Sequence, residues 1–131
     1  MGKLIADTYD KGCVDRAIST MRAALGYNTA LPEGWNPKSR NTADVIRLAG
    51  MSFPGREVKV WCTEENWNKI ERAENMIYEG AHLTPGKWCN SYLFGFVYGP
   101  PDGDIGHMVV GWPIAYGDMQ MSLTIGVKIE A

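Results

Sequence analysis

The C-terminal segment constrains the fold most, because apolar and polar residues alternate along it without interruption. A period of two places successive side chains on opposite faces of a β-strand. We therefore predict a strand here, with one face in the core and the other in solvent. The apolar positions are Met119, Met121, Leu123, Ile125, Val127 and Ile129.

Three earlier segments also have strand patterns. Residues 57–62 alternate in the same way. Residues 92–98 are aromatic and aliphatic throughout, which is typical of a strand covered on both faces. Residues 107–112 form another apolar run, and Pro113 ends it because proline cannot donate to a strand ladder. Together with the C-terminal strand, these segments predict a sheet of about four strands.

The first helical segment covers residues 13–25. Its apolar side chains recur at spacings of three, four and seven, which place them on one face of an α-helix. Asp10 is the expected N-cap, and Gly26 lies where a residue with left-handed backbone commonly ends a helix. The segment therefore predicts an amphipathic helix packed on the sheet.

Two further helices are expected downstream. The second is capped by Asn41 or Thr42 and closes at Gly50. The third is capped by Thr63, carries glutamates in its first turn and ends at Gly80. The expected buried stripe of this third helix comprises Trp67, Ile70, Ala73 (or Glu74) and Ile77.

The order of these elements is α-α-β-α-β-β-β. Runs of helices followed by runs of strands predict an α+β fold, here N-terminal helices packed on a mainly antiparallel sheet. Residues 1–131 have the usual size of one domain, and no linker divides them. Residues 27–41 form a long loop of the kind that often has a function.

Charge and hydropathy exclude several classes of partner. Thirteen basic and fifteen acidic side chains give a net charge of −2, whereas nucleic-acid binding requires a basic face. The apolar runs are shorter than the ~20 residues that cross a bilayer. Residues 1–12 have no basic region followed by an apolar core, so we expect no export signal and a cytoplasmic protein at synthesis.

The common cofactor and metal motifs are missing. The sequence contains no Walker loop, dinucleotide-binding glycine pattern, H-E-x-x-H or G-x-S-x-G. His82-Leu83-Thr84 matches half of a paired H-x-T signature, but the residues after His107 lack the second hydroxyl. Two histidines cannot form a three-histidine zinc site, and no ligand spacing supports a mixed one. We therefore expect no cofactor and no metal.

The three cysteines have different surroundings. Cys62 and Cys89 each follow a tryptophan at the edge of a predicted strand. Two buried thiols are the preferred interpretation, and a disulfide across the sheet is the alternative in an oxidising compartment. Cys13 instead lies in the first turn of the first helix, where the helix dipole favours a thiolate.

A nucleophilic cysteine also needs an imidazole and a group that orients it. His107 begins an apolar strand, and Asp118 precedes the C-terminal strand. If residues 107–112 and 119–129 are antiparallel neighbours, these two side chains come close at one end of the sheet. The order Cys13, His107, Asp118 thus forms a candidate triad.

These residues resemble the papain-like NlpC/P60 and CHAP cysteine hydrolases, which include peptidoglycan amidases delivered by type VI secretion. The matching segments are residues 12–19 (GCVDRAIS) and 106–112 (GHMVVGW), with Asp118 as the third polar group. The resemblance as a whole covers about a quarter of the chain and rests on the order and local context of these residues. The resemblance implies that Cys13 attacks an amide carbonyl, His107 transfers the proton and Asp118 orients the ring.

The resemblance further implies a peptide or peptidoglycan fragment as substrate, reached by delivery outside the cytoplasm. We assign Trp35, Trp112 and Tyr116 as candidate substrate-binding residues, because aromatic side chains commonly line such grooves. The Asp-Cys-Ser-Gly run of NlpC/P60 enzymes is missing, as is an Asn or Gln before the cysteine.

A non-enzymatic alternative fits the same sequence. Cys13 is then a small buried hydrophobe, His107 a packed histidine and Asp118 a turn residue. An immunity protein, an inhibitor or a phage counter-defence protein has this size and acidic balance. Its aromatic residues and an edge strand would bind a protein partner or a small ligand.

Overall fold

The structure, a computed structural model, describes residues 4–8, 12–30, 42–83, 86–98, 107–111 and 121–130, and the side chains of all these except 4–8 and 121–122. These residues form six strands, three α-helices and one 3-10 helix. The strands are β1 (Leu4–Thr8), β2 (Val58–Trp61), β3 (Met76–Gly80), β4 (Tyr92–Tyr98), β5 (His107–Gly111) and β6 (Met121–Lys128). The helices are α1 (Cys13–Ala24), α2 (Thr42–Ser52), α3 (Glu64–Asn68) and the 3-10 helix (Lys87–Ser91).

All six strands belong to one sheet, in the order β1-β5-β4-β6-β2-β3. Every pairing is antiparallel except that of β2 with β3, which is parallel. The α+β class and the mainly antiparallel sheet are therefore confirmed. The predicted number of strands was too low, because β1 has no clear periodicity and β3 lies inside the segment predicted as the third helix.

The predicted third helix is in fact a short helix followed by a strand. The Thr63 cap is confirmed, since its hydroxyl accepts a hydrogen bond from the Asn66 N–H at 3.2 Å. Asn75 then connects the chain to the segment that begins β2. Its side-chain amide donates to the carbonyl oxygens of Phe53 and Arg56, and its backbone carbonyl accepts from the Val58 N–H at 2.8 Å. Ile77, expected in a buried helical stripe, is 41% exposed on β3.

Helices α1 and α2 cover one face of the sheet, which we call the helix face. The apolar stripe of α1 packs there on alternate residues of β4, β5 and β6. Gly26 has the predicted positive φ, +88°. The predicted Asp10 cap is wrong, because Gly12 precedes α1 and supplies no side-chain cap. Asp10 itself lies outside the described residues.

Helix α2 continues two residues past its predicted end. Gly50 lies inside the helix, and a Cβ there would be 2.6 Å from the Met76 sulfur. The glycine therefore permits close packing of α2 on β3.

Among the residues of the predicted loop, 27–30 are described and 31–41 are not.

The opposite face of the sheet carries a cluster of aromatic side chains, and we call it the aromatic face. Phe94 and Phe96 are stacked there, with ring centroids 5.8 Å apart, and Trp61 packs against Phe94. The expectation that β6 has a solvent face is therefore wrong. Thr124 on that face is only 2% exposed, and Gly126 is buried under the rings of Phe94 and Trp61.

Candidate functional site

The sequence-predicted nucleophile, Cys13, is a core residue. It is the first residue of α1 and only 3% exposed, and it packs with the apolar stripe of α1 on the helix face. A thiol with these surroundings has the burial expected of a small hydrophobe.

His107 lies at the same end of the sheet as Cys13. It is the first residue of β5, and β1 pairs with β5 so that Thr8 lies opposite Met108. Because the chain leaves β1 at Thr8 and enters α1 at Cys13, α1 begins near the start of β5. The two predicted catalytic residues therefore begin neighbouring elements.

The two side chains nevertheless belong to different faces of the sheet. Met108 and Val110 pack on the helix face, whereas Val109 packs on the aromatic face. Strand alternation therefore places His107 on the aromatic face. Its half-buried ring stacks on Tyr98, with centroids 5.8 Å apart and planes at 24°. The described geometry separates the imidazole from the thiol by the sheet.

Strands β5 and β6 are not neighbours, so the condition for bringing His107 and Asp118 together is not met. Strand β4 lies between β5 and β6 and pairs with both. The arrangement that was to bring Asp118 to His107 is therefore not present. Asp118 lies outside the described residues, as do the candidate substrate-binding residues Trp35, Trp112 and Tyr116.

All three cysteines are buried and none forms a disulfide, as preferred from the sequence for Cys62 and Cys89. Cys62 packs on the helix face and Cys89 on the aromatic face, so the sheet lies between them. Burial raises the pKa of the Cys62 thiol to about 11, although the backbone N–H of Trp67 acts in the opposite direction. This thiol has the protonation behaviour of a structural residue.

The end of the sheet formed by β2 and β3 has properties of a binding surface. We call residues 57–80, which contain both strands and their connection, the acidic edge. Strand β3 is the last strand of the sheet, and no described strand pairs with its outer side. Among the described residues, Ile77 and Met51 are large apolar side chains with high exposure, 41% and 39%.

On the aromatic face, the acidic edge contains a cation between two rings. The Lys59 ammonium lies 4.6 Å from the centroid of Trp88 and 5.0 Å from that of Tyr92. It also lies 3.3 Å from the Glu79 carboxylate. The Tyr92 hydroxyl donates a hydrogen bond to Glu57, and burial together with this bond raises the Tyr92 pKa.

On the helix face of β3, a second group of rings is half-buried against the core. Trp67 stacks on Tyr78 with centroids 5.3 Å apart, and the Arg72 guanidinium lies 4.7 Å from the Trp67 centroid. The Tyr78 hydroxyl donates to the Cys62 carbonyl oxygen at 3.0 Å. Trp, Tyr and Arg are the residues most often found at binding hot spots.

The acidic edge also accounts for the net negative charge of the whole chain. Residues 57–80 carry six acidic and three basic side chains, whereas the rest of the chain carries nine acidic and ten basic ones. The excess of acidic residues in this segment is visible in the sequence. Its meaning depends on the edge position of β3, which charge alone does not reveal.

Among the described residues, no group of three or more His, Cys, Asp or Glu side chains is arranged to hold a metal ion. None of the described helices combines the length and hydropathy of a membrane span. Comparisons with family models, with curated proteins and with solved structures find no match to this chain.

Proposed function

We propose that this chain is a binding protein whose acidic edge recognises a basic protein partner. The observation that carries the proposal is the coincidence of three properties at one end of the sheet. The strand there has an unpaired outer side among the described residues, Ile77 is 41% exposed, and residues 57–80 hold the excess of negative charge. An inhibitor or immunity protein would act through such a surface.

Each property contributes differently to binding. An acidic surface attracts a basic partner and raises the association rate, most strongly at low salt. Exposed ion pairs add only about 0–1 kcal/mol each, so charge alone does not make a stable complex. The apolar surface of Ile77 and the Trp67–Tyr78 stack supply the contacts that lose water on binding.

A photo-crosslinking side chain at position 77 tests the proposal in the cell that makes the protein. The matched control carries the same group at Met51, which is 39% exposed on α2. We expect a discrete adduct with a basic protein from position 77 only. Glu74→Lys should reduce the yield of the adduct several-fold, whereas Glu130→Lys, an equal change of charge at an exposed residue outside the edge, should leave it unchanged.

Two results would contradict the proposal. One is the absence of any adduct from position 77. The other is an adduct that forms equally from positions 51 and 77 and whose yield is the same in Glu74→Lys. Either result means that the acidic edge is not the recognition surface.

The cysteine amide hydrolase of the NlpC/P60 type is the second candidate function. The observation in its favour is that Cys13 and His107 begin α1 and β5 at the same end of the sheet. Against it, Cys13 is buried on the helix face and His107 stacks on Tyr98 on the aromatic face. The hydrolase therefore stays a prediction, and thiol labelling, described below, distinguishes it from the binding protein.

A further inference from the structure

The outer side of β3 pairs with no strand among the described residues, although the Met76 N–H already donates to the Ala73 carbonyl oxygen. The Val58 N–H donates to the Asn75 carbonyl, and Val58 lies opposite Met76 in the parallel pair. In a parallel ladder a residue bonds to the two neighbours of its partner, so Ile77 directs its N–H and C=O towards β2. The backbone N–H and C=O of Tyr78 consequently point away from β2, towards the outer side of β3.

We propose that the partner binds by adding an extended segment to the outer side of β3. This inference rests on the proposed function and specifies its binding mode. Backbone hydrogen bonds to Tyr78 would fix the added strand, and its side chains would read the surface of the acidic edge. Main-chain bonds of this kind supply the directional contacts that exposed ion pairs do not.

The side chains of β3 define the sequence of the added segment. Ile77 and Glu79 lie on the aromatic face, two residues apart, and Glu79 pairs with Lys59 on the same face. An added strand would therefore place an apolar residue beside Ile77 and a basic residue beside Glu79. The partner motif is an apolar residue and a Lys or Arg two positions apart, with the apolar residue first in a parallel added strand and the basic residue first in an antiparallel one.

A bulge in β3 sets the length of this pairing. Val60 lies opposite Tyr78 and Trp61 opposite Gly80, so Glu79 is an extra residue in the strand. Bulges and charged side chains are common protections of edge strands against uncontrolled pairing. At this edge they limit regular pairing to Met76–Tyr78, and the acidic excess disfavours a second copy of this chain. A basic segment meets no such repulsion.

An eight-residue peptide, acetyl-Val-Thr-Lys-Thr-Val-Thr-Lys-Thr-amide, is the probe. It places valine and lysine alternately on one face of an extended strand. We expect saturable binding by isothermal titration calorimetry and at least tenfold slower hydrogen exchange of the Tyr78 amide at saturation. Ile77→Lys should weaken binding at least tenfold, and Met51→Lys should change it less than twofold. The peptide with glutamate in place of lysine should not bind.

Backbone N-methylation separates strand addition from recognition of side chains alone. One methylated peptide blocks the amides of the valines and lysines, and the other blocks those of the threonines. These amides lie on opposite edges of an extended strand. We expect one peptide to lose at least tenfold in affinity and the other to retain binding within threefold.

The contrary outcomes separate the binding mode from the proposed function. Peptide binding without protection of Tyr78, or equal loss from both methylations, overturns strand addition and leaves recognition at the acidic edge intact. A peptide that does not bind overturns strand addition, while the crosslink from position 77 decides the function independently. A dimer that Ile77→Lys dissociates in sedimentation would assign this edge to a second copy of the chain.

Discussion

The Lys59 ammonium and the Glu79 carboxylate form an ion pair across β2 and β3, with 3.3 Å between Nζ and Oε1. The same ammonium lies over the rings of Trp88 and Tyr92. Through these contacts Lys59 connects β2 to β3 and to the rings of the aromatic face. Partial burial of both side chains makes the pair less exposed to solvent screening than a pair on an open surface.

Removing this cation should destabilise the protein moderately. For Lys59→Met we expect a loss of about 1 kcal/mol in the free energy of unfolding, since an ion pair and two cation–π contacts disappear. The matched control is Lys69→Met, whose pair with Glu65 is exposed on both sides and should contribute less than about 0.5 kcal/mol. Urea denaturation of both variants measures the difference. Equal losses would contradict the role assigned to Lys59.

A methyl group at Gly126 should disturb the aromatic face. A Cβ there would be 3.1 Å from Phe94 Cε1 and 3.3 Å from Trp61 Cζ3. For Gly126→Ala we expect a loss of about 1–3 kcal/mol, the usual cost of overpacking a buried site. Lys128→Ala, at an exposed position two residues away, should remain within about 0.5 kcal/mol of the wild type. Thermal unfolding that leaves Gly126→Ala unchanged would contradict the packing of this face.

Stability should fall at alkaline pH because of Cys62. Its pKa rises from 9.0 to about 11 on burial, so the unfolded chain loses this proton first. The unfolded state then binds fewer protons than the folded state, and the free energy of unfolding decreases between pH 9 and 11. The limiting slope is about 1.4 kcal/mol per pH unit for one group.

Urea titrations at a series of pH values test this dependence. In Cys62→Ala the decrease between pH 9 and 11 should be shallower, because the thiol no longer titrates. It should not vanish, since the pKa values of Tyr78 and Tyr92 are also raised, in both cases mainly by burial. Identical pH profiles for the variant and the wild type would show that Cys62 does not contribute.

Alkylation distinguishes the binding protein from the hydrolase. Because Cys13 is 3% exposed in the core, we expect iodoacetamide to label it at pH 7 only at the rate of unfolding. His107→Ala should leave that rate unchanged, once corrected for stability. Rapid labelling of native Cys13 below pH 7 that slows in His107→Ala would support the Cys–His pair. Mass spectrometry of labelled peptides identifies the site.

The parts of the fold that local patterns determine were predictable. The apolar stripe of α1 and the alternation of β6 each lie within one continuous segment, so their element types follow from periodicity. Strand β3 was predicted as helix because Ile77 continues the helical spacing of Trp67, Ile70 and Ala73 (or Glu74). The hydrogen bonds of Asn75 to residues near β2 decide the outcome, and these are tertiary contacts.

The candidate site depended on information that periodicity does not contain. The order of strands in a sheet is a non-local property, and the insertion of β4 between β5 and β6 removed the expected neighbours. The aromatic residues of β4 indicated burial on both faces, which is correct. The sequence pattern does not indicate that these rings cover the second face of β6. It also does not indicate that β3 is the last strand of the sheet.

Amide chemical shifts of the ¹⁵N-labelled protein, titrated with the valine–threonine–lysine peptide, test the central claim most directly. Recognition at the acidic edge predicts saturable shifts concentrated in residues 57–80 and strongest around Tyr78, with weaker binding at higher salt. Residues 12–30 of α1 and its C-terminal turn should remain unshifted. Saturable shifts centred on Cys13 or His107 would contradict recognition at the acidic edge, and the absence of any saturable shift would overturn strand addition.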